Sequence, residues 1–140
     1  MKARILVLSH SYIMKSYRKK FTLIGQLTAH LPEFQIRVIT PNTWIENFQQ
    51  LTFEPTTKTN CQEIPLPVIS SGYASRFVYQ EGLVPHFRDF QPDIIHLEEE
   101  AWSLNALQTL LLQRWFCPHS KLIFRTSLSV EISQRFGSIP

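Results

Sequence analysis

Five short apolar runs, each followed by turn residues, limit the folds open to this chain more than any other feature of its sequence. They occupy residues 5–8, 36–39, 64–69, 94–97 and 122–124. The first run is continuous and apolar, which is typical of a strand that is buried on both faces, as in a parallel sheet. Pro65 and Pro67 place the third strand at a sheet edge, because proline has no N–H to donate to a neighbouring strand.

Segments with helical periodicity lie between these runs. We expect the first helix to bury one face, composed of Phe21, Ile24, Leu27, Thr28 and Leu31. Ser16 is its candidate N-cap, and Pro32 ends it. A later helix repeats the same spacing with Leu104, Leu107, Leu111 and Trp115, and it ends before Pro118.

Two further segments follow no single pattern. Residues 44–60 have no periodicity and contain Pro55, so we expect an irregular excursion there. A set of apolar residues fits either one kinked helix or two short helices, because Gly82 and Pro85 interrupt it. This set is Phe77, Leu83, Phe87 and Phe90.

The order of these elements predicts an α/β fold with a doubly wound, Rossmann-like and mainly parallel sheet. Parallel strands require crossover connections, which are right-handed in nearly all proteins. The expected strand order is 3-2-1-4-5, with a switch point between the first and fourth strands. At 140 residues, the chain is expected to form one domain over residues 1–140.

Charge and cysteine usage exclude several classes of function. The net charge is +3, and the one basic cluster is Arg18-Lys19-Lys20, which is too little for the basic face of a nucleic-acid-binding protein. A phosphate-bearing ligand or a peripheral contact with an anionic membrane remains compatible with it. Cys61 and Cys117 have neither a CxxC spacing nor histidines at metal-ligand spacing, so we expect two buried thiols and no metal site.

The N-terminal residues give no sign of a targeting segment. Only four consecutive apolar residues follow Arg4, whereas a secretory signal needs about 7–15 and a transmembrane helix about 20. Two cysteines without a signal peptide favour a reducing compartment, and we expect a cytoplasmic protein.

The strand ends indicate where a ligand should bind. In open α/β sheets, ligands occupy the crevice beyond the carboxyl ends of the strands, at the switch point. Three strands end in polar residues that should border this crevice. These are Ser9, His10, Ser11 and Tyr12 after the first strand, Glu98, Glu99 and Glu100 after the fourth, and Arg125, Thr126 and Ser127 after the fifth.

Each of these groups has more than one interpretation. The three glutamates can cap the following helix or accept hydrogen bonds from ligand hydroxyls. His10 can be a base or a structural residue, and the cations around Arg18 can bind phosphate or only water. The sequence has no HExxH motif and no P-loop, and we assign no catalytic residue; the absence of GxGxxG from the first βα turn argues against a dinucleotide-dependent oxidoreductase.

Three stretches together resemble a known family. They are RILVLSHSY at 4–12, YRKK at 17–20 and PDIIHLEEE at 92–100, the last continued by Trp102-Ser103-Leu104. They are similar to the N-terminal domain of family-4-type glycosyltransferases, which are retaining enzymes of the GT-B architecture. The third stretch is the most specific, and the likeness covers nearly the whole chain.

The resemblance implies a domain that binds a hydroxyl acceptor and faces a second domain that binds a nucleotide-sugar donor. Enzymes of this kind move the sugar to the acceptor, keep its anomeric configuration and need no tightly bound metal or other cofactor. The donor-binding C-terminal domain is absent from residues 1–140, so we expect the chain to be inactive alone. The substrate-binding residues that we expect are His10, Tyr12, Arg18, Glu98, Glu99 and Thr126.

Two departures from the family pattern keep a second hypothesis open. The turn at residues 9–16 lacks the glycine pair that many members have, and Thr126-Ser127-Leu128 stands where some members have a histidine. The alternative is a non-catalytic module that binds a ligand or a partner, or a truncated gene remnant. A separate polypeptide carrying the C-terminal half would instead restore the transferase interpretation.

Overall fold

A computed structural model describes residues 3–57 and 59–126. The strands are β1 (Ala3–Leu8), β2 (Phe34–Pro41), β3 (Thr43–Glu46), β4 (Gln49–Thr52), β5 (Gln62–Leu66), β6 (Val68–Ile69), β7 (Val78–Tyr79), β8 (Ile94–Leu97) and β9 (Lys121–Phe124). The α-helices are α1 (Lys15–Leu27), α2 (Val84–Arg88) and α3 (Leu104–Phe116), and a 3-10 turn spans His10–Ile13.

The central sheet has five parallel strands in the order β5-β2-β1-β8-β9. This confirms the α/β, Rossmann-like fold, the strand order and the edge position of the third predicted strand. Val7 of β1 pairs with Val38 on one side and with His96 on the other, so the switch point lies between β1 and β8.

The two faces of the sheet carry separate apolar clusters. On one face, Leu8 and Ile95 pack with Phe87 of α2 and Ala106 of α3. On the other face, Val7 and Val38 pack with Phe21 of α1. Helices therefore cover both faces, as a doubly wound sheet requires.

Helix α1 differs from its predicted form. Its N-cap is Met14 rather than Ser16, and it ends at Leu27, before Pro32 is reached. The buried residues are Arg18, Phe21 and Gly25, whereas Ile24 and Leu27 face solvent. A Cβ on Gly25 would lie 3.1 Å from the Cys61 nitrogen, so glycine allows this close approach of the helix to the chain before β5.

Helix α3 is also turned relative to the predicted orientation. The helix buries Asn105, Ala106 and Thr109, and the whole predicted apolar stripe is exposed. Ser103 is its N-cap, with a side chain that accepts a hydrogen bond from the Ala106 N–H. The capping hypothesis for Glu98, Glu99 and Glu100 is therefore wrong.

Two connecting segments were predicted incorrectly. Within the excursion at 44–60, strands β3 and β4 form an antiparallel hairpin. Residues 68–69 form β6, which leaves the central sheet and pairs with β7, so the third predicted strand ends at Leu66. Phe77 precedes β7 and is not helical, and one short helix, α2, replaces the expected kinked helix or helix pair.

Three further observations on the described residues concern membrane-spanning helices, metal-ligand clusters and the two cysteines. No helix among the described residues has the length and hydropathy needed to cross a bilayer. The same residues contain no cluster of three potential metal ligands. Cys61 and Cys117 are free and buried, and burial, with a smaller effect of Glu63, raises the pKa of the Cys61 thiol to about 12.

Candidate functional site

A pocket of about 650 Å³ lies beyond the carboxyl ends of β1 and β8. Its wall combines the 3-10 turn, the start of α1, the glutamates after β8 and the residue after β9. The lining residues are His10, Ser11, Tyr12, Ser16, Tyr17, Lys20, Ala74, Glu98, Glu99, Glu100 and Arg125. The structure therefore brings together the three strand ends that the sequence placed at one crevice.

Glu99 fixes the position of His10 through three hydrogen bonds. The backbone N–H of His10 donates to Oε1 at 2.6 Å, and the Nδ1 atom lies 2.8 and 2.9 Å from the two carboxylate oxygens. A carboxylate can only accept, so Nδ1 carries the proton, and in the neutral ring Nε2 is then the acceptor nitrogen. Buried Glu99 thus sets both the place and the tautomer of His10.

Aromatic rings hold the imidazole on its other sides. The ring centroid of Trp44 lies 4.7 Å from that of His10, and the Phe77 centroid lies 5.8 Å away. Both aromatic side chains are buried. Packing of this kind limits the rotation of the imidazole, so Nε2 is held in place before any ligand arrives.

Glu98 is the centre of a second polar cluster. Its Oε1 atom lies 3.1 Å from Lys20 Nζ, 3.4 Å from Arg125 and 3.8 Å from His96 Nε2. Burial alone would raise the pKa of Glu98, but contacts with Tyr12 and Lys20 and the charges of Lys20 and His96 outweigh it, so the pKa is lowered. Glu98 is therefore ionised at neutral pH.

Tyr12 contributes a phenol beneath this cluster. Its hydroxyl is buried beside Glu98 and has no hydrogen bond of normal geometry among the described residues. Burial and the nearby Glu98 carboxylate raise the pKa of Tyr12 far above its usual value. The phenol consequently stays protonated and is a hydrogen-bond donor at any physiological pH.

Thr126 lies at the rim of the pocket. Its hydroxyl donates to Glu100 Oε2 at 2.7 Å, which ties the end of β9 to the end of β8. Thr126 is thus close to the expected site, although it does not line the pocket. Ser127 lies outside the described residues.

Arg18 does not border the pocket, contrary to the expectation from the sequence. Only 1% of it is exposed, and it is absent from the pocket wall. Its N–H groups donate to the Glu63 carboxylate and to the carbonyls of Tyr12, Ile13 and Glu54. Arg18 therefore joins segments of the fold, and at least four of its five N–H donors are already bonded within it.

Sequence reasoning missed several residues of this site. Lys20 follows Tyr17 by three positions on the same helical face, which was a usable signal. The His10–Glu99 pair could also have been found, because Leu8 pairs with Leu97 and each partner lies two residues further on. Trp44 and Phe77 gave no signal, since both come from segments without a regular pattern.

The arrangement suits a neutral, hydroxyl-rich ligand. Carboxylates accept hydrogen bonds from hydroxyl groups, and the Nε2 atom of His10 can accept one more. Lys20 and Arg125, the two basic residues of the wall, both lie within 3.4 Å of Glu98, and three glutamates share the wall with these two cations.

Comparison of the chain with protein-family models, with curated proteins and with solved structures finds no match. The resemblance to glycosyltransferases therefore rests on the three sequence stretches quoted above.

Proposed function

We propose that this chain is the acceptor-binding half of a two-domain glycosyltransferase. A second domain, in the same or a separate polypeptide, supplies a nucleotide-sugar donor, and the sugar moves to a hydroxyl of the acceptor. Retention of the anomeric configuration is what the family resemblance implies. We also propose a cytoplasmic location, because both thiols are free.

One observation supports this proposal above the others. Three strand ends that are distant in sequence meet at one pocket, and they supply carboxylates, a phenol and an oriented imidazole. A sugar or polyol presents several hydroxyls, and such ligands are matched by several fixed acceptors at short distances from one another. In this arrangement, Glu98 and the Nε2 atom of His10 hold acceptor hydroxyls, and Glu99 acts through His10.

The same pocket is poorly suited to the donor. Residues 9–14, which follow β1, contain no glycine, whereas turns that hold diphosphates commonly need glycine for close backbone approach. The two cations of the wall both pair with Glu98, and Glu99 and Glu100 add two further carboxylates to the same wall. The domain alone is therefore expected to bind an acceptor without transferring a sugar to it.

Saturation-transfer NMR on the full chain tests this division of roles. We expect transfer to hydroxyl-rich acceptors, such as mono- and disaccharides and glycerol-based headgroups, and none to nucleotide sugars. Glu98→Gln removes a charged acceptor and should weaken acceptor binding by about tenfold, since hydrogen bonds to charged groups contribute about 1.5–3 kcal/mol. Glu81→Gln, at an exposed position outside the pocket, is the matched control.

Two outcomes would contradict the proposal. One is saturation transfer to a nucleotide sugar with none to any acceptor. The other is unchanged acceptor binding after the substitution of Glu98.

A second candidate is a non-catalytic module that binds a ligand or a partner, and the glycine-free turn after β1 favours it. Both candidates predict a ligand in the pocket. Only the transferase predicts sugar transfer when a donor-binding domain, encoded downstream or separately, is supplied. Mixing the chain with such a domain and following sugar transfer to the acceptor separates the two.

A further inference from the structure

One ridge of α1 combines lysines and leucines that all face solvent. Lys15, Lys19, Leu23 and Leu27 follow each other at intervals of four residues, so they lie in one row along the helix. We call this row the α1 ridge. Leu27 is 74% exposed and Leu23 is 51% exposed, although both are large apolar side chains.

The residues that α1 buries lie on the opposite side of the helix, so the α1 ridge faces solvent. Arg18, Phe21 and Gly25 are the residues that α1 buries against the rest of the fold. Large apolar side chains are exposed along the helix and at its flanks. These are Met14, Tyr17, Leu23, Ile24, Leu27 and Leu31. Among them, Leu23 and Leu27 are one helical turn apart on the ridge, and adjacent exposed apolar side chains are typical of an interaction surface.

The charged residues of α1 and of the segments on either side of it in sequence have one sign. Residues 1–32 contain six lysines or arginines and no aspartate or glutamate. Lys15 and Lys19 form no ion pair with any residue that the structure describes, whereas Lys20 is held by Glu98. They border a groove of about 300 Å³ together with Ser16, Thr22 and Thr56. The two lysines and the two exposed leucines thus lie on the same solvent-facing row of α1.

This combination distinguishes a lipid surface from a protein partner. The buried centres of protein interfaces are depleted in lysine. A helix that lies on a membrane instead places lysines at the anionic headgroups and leucines at the boundary of the acyl chains. Helix α1 is about 20 Å long, which is enough to lie along such a surface.

We propose that the α1 ridge is a peripheral docking surface for a membrane that contains anionic lipid. Lys15 and Lys19 contact phosphate headgroups, and Leu23 and Leu27 enter the boundary between headgroups and acyl chains. The proposal does not depend on sugar transfer, because vesicle binding requires neither a donor nor an acceptor sugar.

Co-sedimentation of the full chain with lipid vesicles tests whether the α1 ridge binds anionic membranes. We expect binding to vesicles of equal parts phosphatidylcholine and phosphatidylglycerol, and little binding to phosphatidylcholine alone. Raising the salt from about 0.1 M to about 1 M shortens the Debye length from about 10 Å to about 3 Å and should weaken the binding. Leu23→Ser with Leu27→Ser should weaken it by at least about tenfold, since each leucine loses its apolar burial.

Helix α3 provides the matched control. Leu107 and Leu111 are 51% and 49% exposed, but they lie on the other side of the sheet, in a helix whose one basic residue is Arg114. Leu107→Ser with Leu111→Ser should leave vesicle binding unchanged. Lys15→Ala with Lys19→Ala should reduce it without disturbing the fold, because both side chains are exposed and alanine favours a helix.

A fluorescent probe gives a second, independent measurement. Leu27→Cys can be labelled selectively, because both natural cysteines are buried. An environment-sensitive dye at position 27 should shift to shorter wavelength with anionic vesicles, and the same dye after Leu111→Cys should not. The proposal is overturned by equal binding to both vesicle types, by no binding, or by a loss confined to the α3 pair. It is also overturned if the α1 substitutions change only the self-association of the chain in gel filtration.

Discussion

Arg18 joins segments that are distant along the chain. Its guanidinium binds the Glu63 carboxylate at 2.5 Å, and it also binds carbonyls of the 3-10 turn and of Glu54. The Phe53 ring packs over it, 4.3 Å from ring centroid to Cζ. Its position after Tyr17 in a basic run suggested ligand binding, because a linear pattern cannot show which member of a run turns inward.

Arg18→Ala tests this structural role. The substitution leaves the buried Glu63 carboxylate and two carbonyls of the turn without their partner, and removal of one member of a buried pair costs about 3–5 kcal/mol. We expect a loss of that size in the free energy of unfolding, measured by urea titration. Lys19→Ala, at the exposed neighbouring position, should stay within about 0.5 kcal/mol of the natural chain. Equal stability of the two variants would show that Arg18 does not join these segments.

At the scale of elements, the strands could be predicted and the helix faces could not. A strand buried on both faces needs only apolar residues in sequence, so β1, β2 and β8 stood out directly. Helices α1 and α3 carry apolar residues on their exposed sides and bury Gly25, Asn105 and Thr109, so periodicity pointed to the wrong face. Packing against the sheet overrode the pattern in both cases.

The β3–β4 hairpin was missed for a more local reason. Its two turn residues, Asn47 and Phe48, have φ angles of 50° and 62°. Two-residue hairpin turns with positive φ at both positions usually carry glycine at the second. Phenylalanine at that position hid the turn, and it holds a backbone conformation that costs an L-residue roughly 1–2 kcal/mol.

Phe48→Gly should therefore stabilise the protein. Relief of the left-handed conformation exceeds the extra entropy of glycine in the unfolded chain, and the net gain should be about 0.5–1 kcal/mol. Thermal unfolding should show a midpoint higher by roughly 2–4 °C. Phe48→Ala removes the ring but keeps the strain, so it should bring no such gain. An equal gain from alanine would assign the effect to the exposed ring instead.

At the scale of the whole molecule, the topology determined where the pocket would be found. The switch point between β1 and β8 followed from the order of the elements, and the strand ends followed from the switch point. The packing of Trp44 and Phe77 against His10 could not be predicted, because both residues belong to segments without a regular sequence pattern. The sequence thus indicated the polar residues of the pocket and not the aromatic rings that pack against His10.

The stability of the whole fold should depend on pH through His86. The Arg37 guanidinium lies 3.0 Å from the His86 Nδ1 atom, and burial together with this charge lowers the pKa of His86. The unfolded chain therefore binds a proton more readily than the folded chain does. The contribution of His86 to the free energy of unfolding is therefore fully present above about pH 6.5, where the imidazole is neutral in both states. It is lost as the pH falls below that value.

His86→Gln removes the titrating group. Urea unfolding between about pH 7 and pH 5 should show a shallower loss of stability in this variant than in the natural chain. His30→Gln, at an exposed position in the turn after α1, is the control and should keep the natural slope. An unchanged slope after the substitution of His86 would assign the effect to other groups, of which His96, with its lowered pKa, is the first to examine.

The two edge strands of the central sheet differ in their ability to pair with a further strand. Strand β5 forms one border and contains Pro65, which has no N–H for an incoming partner. Strand β9 forms the other border and contains no proline, and its outer side has no neighbour among the described residues. Further strands, from this chain or from another, are therefore obstructed beside β5 and can be accepted beside β9.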